Sequence, residues 1–126
     1  MIGRREDLLQ RAAHERLVRL RDVPEHLAAA EKHAIKLFDL VVVNLYPFES
    51  VTAKAETTFE EAVENIDIGG PAMIRSSAKN AASVVVLVSA DQYTTFMENL
   101  EAGNGATTLE FREKCRLEAY RRTAAY

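Results

Sequence analysis

The chain has 126 residues, of which 48% are hydrophobic and 28% charged, and a net charge of −3. That length holds one domain, and that composition is globular rather than disordered. The acidic balance argues against general nucleic-acid binding, which needs a basic face, and no apolar run approaches the roughly 18 residues that span a membrane.

The first ten residues, MIGRREDLLQ, lack the apolar core of a secretion signal. The one cysteine, Cys115, has no partner for an internal disulfide, which fits a reducing cytoplasm. It falls in a helical pattern and reads as a packing residue before it reads as a nucleophile.

Residues 4 to 21 have the period of a helix, with Leu9, Ala13, Leu17 and Leu20 on one stripe. The six arginines between Arg4 and Arg21 are interleaved with Glu6, Asp7 and Glu15, the pattern of a solvated face. Asp22 and Pro24 start a second helix to about His33, with Leu27, Ala28 and Ile35 expected to pack inward. Leu37 to Asn44 is the first strand. Its LVVV core is a continuous apolar run, as in a parallel strand covered on both faces. Ligands of open α/β sheets bind beyond the carboxyl ends of the strands, which is where Asn44 and Tyr46 fall. Equally, Asn and Pro simply end strands.

Glu49 to Glu56 reads as a loop. Thr57 or Thr58, with Glu60 or Glu61, forms a capping box for a helix to about Ile66 that carries Phe59, Ala62 and Val63 on an apolar face. A helix from Pro71 to Lys79 follows. The strand signature returns at Ser83 to Val88, and Ser89 or Asp91 caps a helix with Tyr93, Phe96, Met97 and Leu100 facing inward. Gly103 to Gly105 is a turn. A last helix runs from Thr107 or Thr108 to about Thr123, with Leu109, Arg112, Cys115 and Ala119 at helical spacing. Two strands alternating with helices indicate an α/β domain with a parallel sheet. Two such strands want more neighbours and more cover, so the chain reads as part of a larger sheet or one that needs a partner.

The densest polar and glycine chemistry lies in NIDIGGPAMIRSSAKN, Asn65 to Asn80. A Gly69-Gly70-Pro71 turn before a helix lets backbone approach a ligand, and amides at a helix start favour an anion or a developing oxyanion. Asp67 and Lys79 then read as a proton-handling pair. The plainer reading is a glycine-proline helix start with a lysine suited to the negative end of the helix dipole. Phosphate-cradling glycine loops, GxGxxG, HExxH and a nucleophile elbow are all missing, so nothing supports a metal or a covalent mechanism.

Three phrases together, DLVVVNLYPFE (Asp39 to Glu49), NIDIGGPAMIRSSAKN and RRTAAY (Arg121 to Tyr126), resemble the inosine monophosphate (IMP) cyclohydrolase domain of the bifunctional purine biosynthesis family. RDVPEHL (Arg21 to Leu27) also matches, and the resemblance covers about His14 to Tyr126. It implies a methylglyoxal-synthase-like parallel sheet flanked by helices, here with about two strands retained, and a homodimer. It implies ring closure of formylated aminoimidazole carboxamide ribonucleotide to IMP, with loss of water and no cofactor. The family's active-site tyrosine, aspartate and lysine fall on Tyr46, Asp67 and Lys79. Its ligand-contacting backbone falls on Val43, Asn44, Ile68 and Gly69, next to Gly70 of the glycine turn.

The first residues depart from that family. Its GRVKTLHP segment falls on Arg4 to Arg11, with the lysine at Asp7, the threonine at Leu8, the histidine at Gln10 and the proline at Arg11. An anion in place of a cation repels a phosphate. The family's HGG reads His14, Glu15, Arg16. The expectation is therefore a chain with the back half of the site, a divergent N-terminal helix at residues 1–20, and neither the phosphate-gripping segment nor the C-terminal formyltransferase. Cyclohydrolase activity of the isolated chain is expected to be weak or absent. The alternative is a non-catalytic ligand-binding or dimerisation module of the same fold.

Overall fold

The structure, a computed structural model, describes residues 23–126. The helix expected over residues 4 to 21 lies outside these residues. In chain order the elements are α1 (Pro24–Lys32), β1 (Leu40–Val42), α2 (Phe48–Thr52), α3 (Phe59–Glu64), α4 (Gly69–Lys79), β2 (Val85–Leu87), α5 (Tyr93–Ala102, entered through a 3-10 turn, Ala90–Gln92) and α6 (Leu109–Ala125).

The two strands run parallel, with Leu40 opposite Val85, Val41 opposite Val86 and Val42 opposite Leu87. The Val85 and Val43 N–H groups extend the ladder by donating to the carbonyls of Asp39 and Leu87, both at 2.9 Å. The parallel α/β architecture expected from alternating strand and helix patterns is what the chain forms.

The strands differ in cover. Every residue of β2 is buried, because α4 and α6 pack on it and on each other. β1 was expected to be buried on both faces and is not. Leu40 and Val42, which share a face by the period of two, are 40% and 45% exposed, and only Val41 is half-buried. Among the described residues β1 has a single neighbour, so a run of apolar residues is present without the second layer that such runs ordinarily serve.

The core joins Leu45, Ile74 and Ala78 to the β2 valines and leucine and to Phe111, Cys115 and Ala119 of α6, with Val43, Phe96 and Tyr126 packed against it. Several inward-facing residues differ from those the periodicity picks. On α1 it is Ala30 that is buried, while Leu27 and Ala28 are exposed and Ile35 is half-buried. In so alanine-rich a helix, hydropathy discriminates weakly between faces. On α5, Phe96 and Leu100 turn inward, whereas Tyr93 and Met97 stay exposed. On α6 the buried stripe is Phe111, Cys115 and Ala119. Leu109 is exposed, and the half-buried Arg112 reaches back over the chain. Its Nε and Nη2 donate to the carbonyls of Ala81 and Ala82 at 2.9 and 3.0 Å, and its Nη1 to the Thr107 carbonyl at 2.5 Å.

The Thr58 capping box forms as its spacing predicts. Thr58 Oγ1 accepts from the Glu61 N–H at 3.2 Å, and the Thr58 N–H donates to Glu61 Oε2 at 2.9 Å. The helix it starts buries no residue, and Phe59 is 81% exposed, so the expected inward face of α3 is not covered. The segment expected as a loop after Pro47 instead contains α2. Its hydroxyls return to the backbone, Ser50 Oγ to the Pro47 carbonyl and Thr52 Oγ1 to the Phe48 carbonyl, both at 2.9 Å. Five residues are too few for a periodic signal.

Candidate functional site

Two segments meet beyond the carboxyl end of β1: the Asn44–Pro47 loop, and the turn from Asn65 into α4. Their junction is the Asp67 carboxylate. Oδ1 accepts the Gly70 N–H at 2.7 Å, and Oδ2 accepts the Tyr46 N–H at 3.3 Å. The first bond is local, from a donor in the first turn of α4 to a side chain three residues earlier, just outside the N-cap residue Ile68. The second spans 21 residues and ties the loop after β1 to the start of α4. Gly70 is buried against this carboxylate. A Cβ there would lie 2.5 Å from Asp67 Oδ2 and 2.7 Å from Leu45 Cδ2, whereas one on Gly69 would meet nothing.

α4 begins at Gly69, two residues earlier than Pro71, so both glycines belong to the helix. This alters what the helix start offers an anion. The Gly70 N–H is bonded to Asp67, and Pro71 has no N–H. The capacity expected of these amides therefore narrows, among the three, to Gly69. Ile68 stands just before them with its side chain exposed.

The structure brings Tyr46, Asp67 and Gly70 together, with Leu45 buried beneath them. The contact to Tyr46 is through its backbone; its phenol ring is largely exposed. Lys79 is not part of this cluster. It ends α4 nine residues from Gly70, which is two and a half turns, about 14 Å along the axis and on the opposite side of the helix. Asn44 is exposed and lines a hollow of about 390 Å³ at the carboxyl ends of both strands, with Leu45, Val88, Ser89, Glu118 and Arg122. Val43 is half-buried, and its N–H donates to the Leu87 carbonyl. No described cluster of His, Cys, Asp and Glu is arranged to hold a metal, and no described helix is long and apolar enough to cross a membrane.

Sequence reasoning missed the groups α6 contributes: Glu118 and Arg122 at the hollow, and Tyr126, whose hydroxyl touches the Asp67 turn. Arg122 and Tyr126 lie in the RRTAAY phrase, which carries no local mark of a contact some 60 residues back along the chain, and Glu118 lies outside it.

Cys115 is inert by its surroundings. It is 3% exposed, and burial pushes its thiol up to about 11. That accords with a packing residue rather than a nucleophile.

Comparison with known proteins places this geometry. The MGS-like domain model matches residues 3–72, more than half the chain, and the chain belongs to that family. The match begins ahead of His14, where the sequence phrases stop being recognisable. Residues 77–126 match a second model, the AICARFT/IMPCHase bienzyme. Among curated proteins the chain is similar over all 126 residues to the bifunctional purine biosynthesis protein PurH, with 49% identity in Listeria monocytogenes serotype 4b, 50% in Roseobacter denitrificans and 48% in Streptococcus pneumoniae serotype 2. It spans about a quarter of the length of these relatives (25%, 24% and 24%). The crystal structure of ForH has a TM-score of 0.70 and 29% identity, over 89% of this chain and 58% of that one.

Proposed function

We propose that this chain belongs to the IMP cyclohydrolase part of a purine-biosynthesis enzyme and binds formylated aminoimidazole carboxamide ribonucleotide, closing its ring to IMP with loss of water, only weakly as an isolated chain, in a reducing cytoplasm. The observation that carries the reading is the doubly held Asp67 carboxylate at the carboxyl end of β1, in a chain about half identical to PurH proteins throughout its length.

Ring closure requires the carboxamide nitrogen to attack the formyl carbon. The new C–N bond forms, the carboxamide nitrogen and the formamide nitrogen each give up one proton, and the C–O bond breaks so that the formyl oxygen leaves with both as water and a ring C=N bond remains. An ionised carboxylate has about four lone-pair positions. Two of Asp67's accept the Gly70 and Tyr46 N–H groups, which fixes its orientation and leaves two to receive the carboxamide N–H. Holding both reacting groups of one molecule in place supplies much of the rate. We assign Lys79, carried over by the sequence resemblance, to proton delivery at the departing oxygen. It stands at the other end of α4 from Gly70, about 14 Å along the axis.

That separation favours a second reading, a nucleotide-binding or dimerisation module without turnover. Calorimetry with IMP and a ring-closure assay, on the unsubstituted chain and on Asp67→Asn, separate the readings. Micromolar binding together with ring closure at any measurable rate, both abolished by Asp67→Asn, supports the enzyme reading, and micromolar binding without ring closure supports the module. Heats that do not differ from buffer, or from the variant, overturn the enzyme reading.

A further inference from the structure

The last residue of the chain closes on the residue at the centre of the site. The Tyr126 hydroxyl accepts the Asp67 N–H at 2.6 Å and donates to the Asn65 carbonyl at 3.1 Å, so one side chain bridges both ends of the three-residue turn that carries the carboxylate. It uses its donor and one acceptor position, the full range of a phenol. The ring is held as well. It packs edge-on against Phe48 with centroids 6.2 Å apart and planes at 61°. Phe48 lies two residues after Tyr46, whose N–H binds Asp67 Oδ2. A second contact from the same end of α6 reaches the same segment, Arg122 Nη1 to Glu49 Oε2 at 3.9 Å. The loop after β1, the Asp67 turn and the end of α6 thus form a closed circuit, and each pair is joined by a named contact.

We propose that Tyr126 is a positioning residue for Asp67. By fixing the amide of Asp67 and the carbonyl two residues before it, the hydroxyl sets the direction of the Cα–Cβ bond. It thereby sets whether the carboxylate reaches the Gly70 and Tyr46 amides at once. The consequence for ring closure rests on the cyclohydrolase reading above; the positioning itself does not.

The experiment is an amide spectrum of the full ¹⁵N-labelled chain with and without Tyr126→Phe, which keeps the ring on Phe48 and removes one oxygen. Loss of the hydroxyl bond speeds exchange of the Asp67 amide about tenfold. The resonances of Gly70 and Tyr46, which bond to the carboxylate and not to Tyr126, shift with it, while Val86 in β2 stays in place. Changes confined to Asn65–Asp67 overturn the proposal, because Tyr126 then only anchors the end of α6. In the unsubstituted protein a through-space cross-peak joins the Asp67 amide proton to the Tyr126 ring; its absence overturns the proposal however the variant folds. In a turnover assay Tyr126→Phe lowers kcat about tenfold and adds nothing to Asp67→Asn. A chain without turnover sinks the cyclohydrolase reading and leaves the spectral test to decide the positioning.

Discussion

Gly70 donates its N–H to Asp67 Oδ1 at 2.7 Å, and a methyl group on Gly70 would sit 2.5 Å from Oδ2 of the same carboxylate. A single glycine therefore both binds the carboxylate and leaves the room it occupies. Gly70→Ala must push Asp67 or Leu45 away. The expected cost is about 1–3 kcal/mol, the range for overpacking a filled site, read as a lower urea midpoint. Gly69→Ala, with nothing within 4 Å of its added methyl, leaves the midpoint equal or raises it. Equal losses at the two positions would show that the close approach at Gly70 is not what requires glycine there.

Arg112 closes the space between the end of α4 and the start of α6 with donors to three separate carbonyls. Removing it strands partly buried carbonyls, so Arg112→Ala is expected to destabilise by about 2–3 kcal/mol. Arg112→Lys recovers little, because an ammonium cannot reproduce the planar fork. Thermal melts of the three proteins check this, and full recovery by lysine would refute the geometric account.

Cys115 gives a pH test. Its folded-state thiol is raised by burial to about 11 against an ordinary value of 9.0. Below pH 9 the thiol is protonated in both states, and its contribution to stability is fully present. As pH rises from 9 to 11 the unfolded chain ionises first, and that contribution is lost. The denaturation midpoint of the unsubstituted chain should therefore fall across this window more steeply than that of Cys115→Ala. Parallel slopes would refute the assignment. Alkylation at pH 8 should proceed only in denaturant.

The paired strands predict an asymmetry. Val42 is 45% exposed and Val86 fully buried, although they sit in adjacent strands of one sheet. Val86→Thr places a hydroxyl in the core and is expected to cost about 1–3 kcal/mol. Val42→Thr should cost under about 0.5 kcal/mol, as on an ordinary surface. Urea midpoints compare the two, and a large loss at Val42 would mean that its face is covered in solution.

By itself the sequence determined the order and kind of most elements. The Thr58–Glu61 spacing makes a capping box, Ser83 to Val88 carries β2, and the GNG at Gly103 to Gly105 breaks the chain before α6, because these are local preferences of backbone and side chain. It also placed Asp67 and Gly70 within one motif, since they lie three residues apart. Tertiary structure alone decided the rest. Burial follows from which surfaces meet, so the same apolar lettering is covered in β2 and left open in β1 and α3. The Tyr126 contact depends on where a helix end falls in space, whereas the distance of Lys79 from the glycine turn already follows from its spacing along one helix. Hydropathy along a chain has no term for a hydroxyl arriving from 59 residues away.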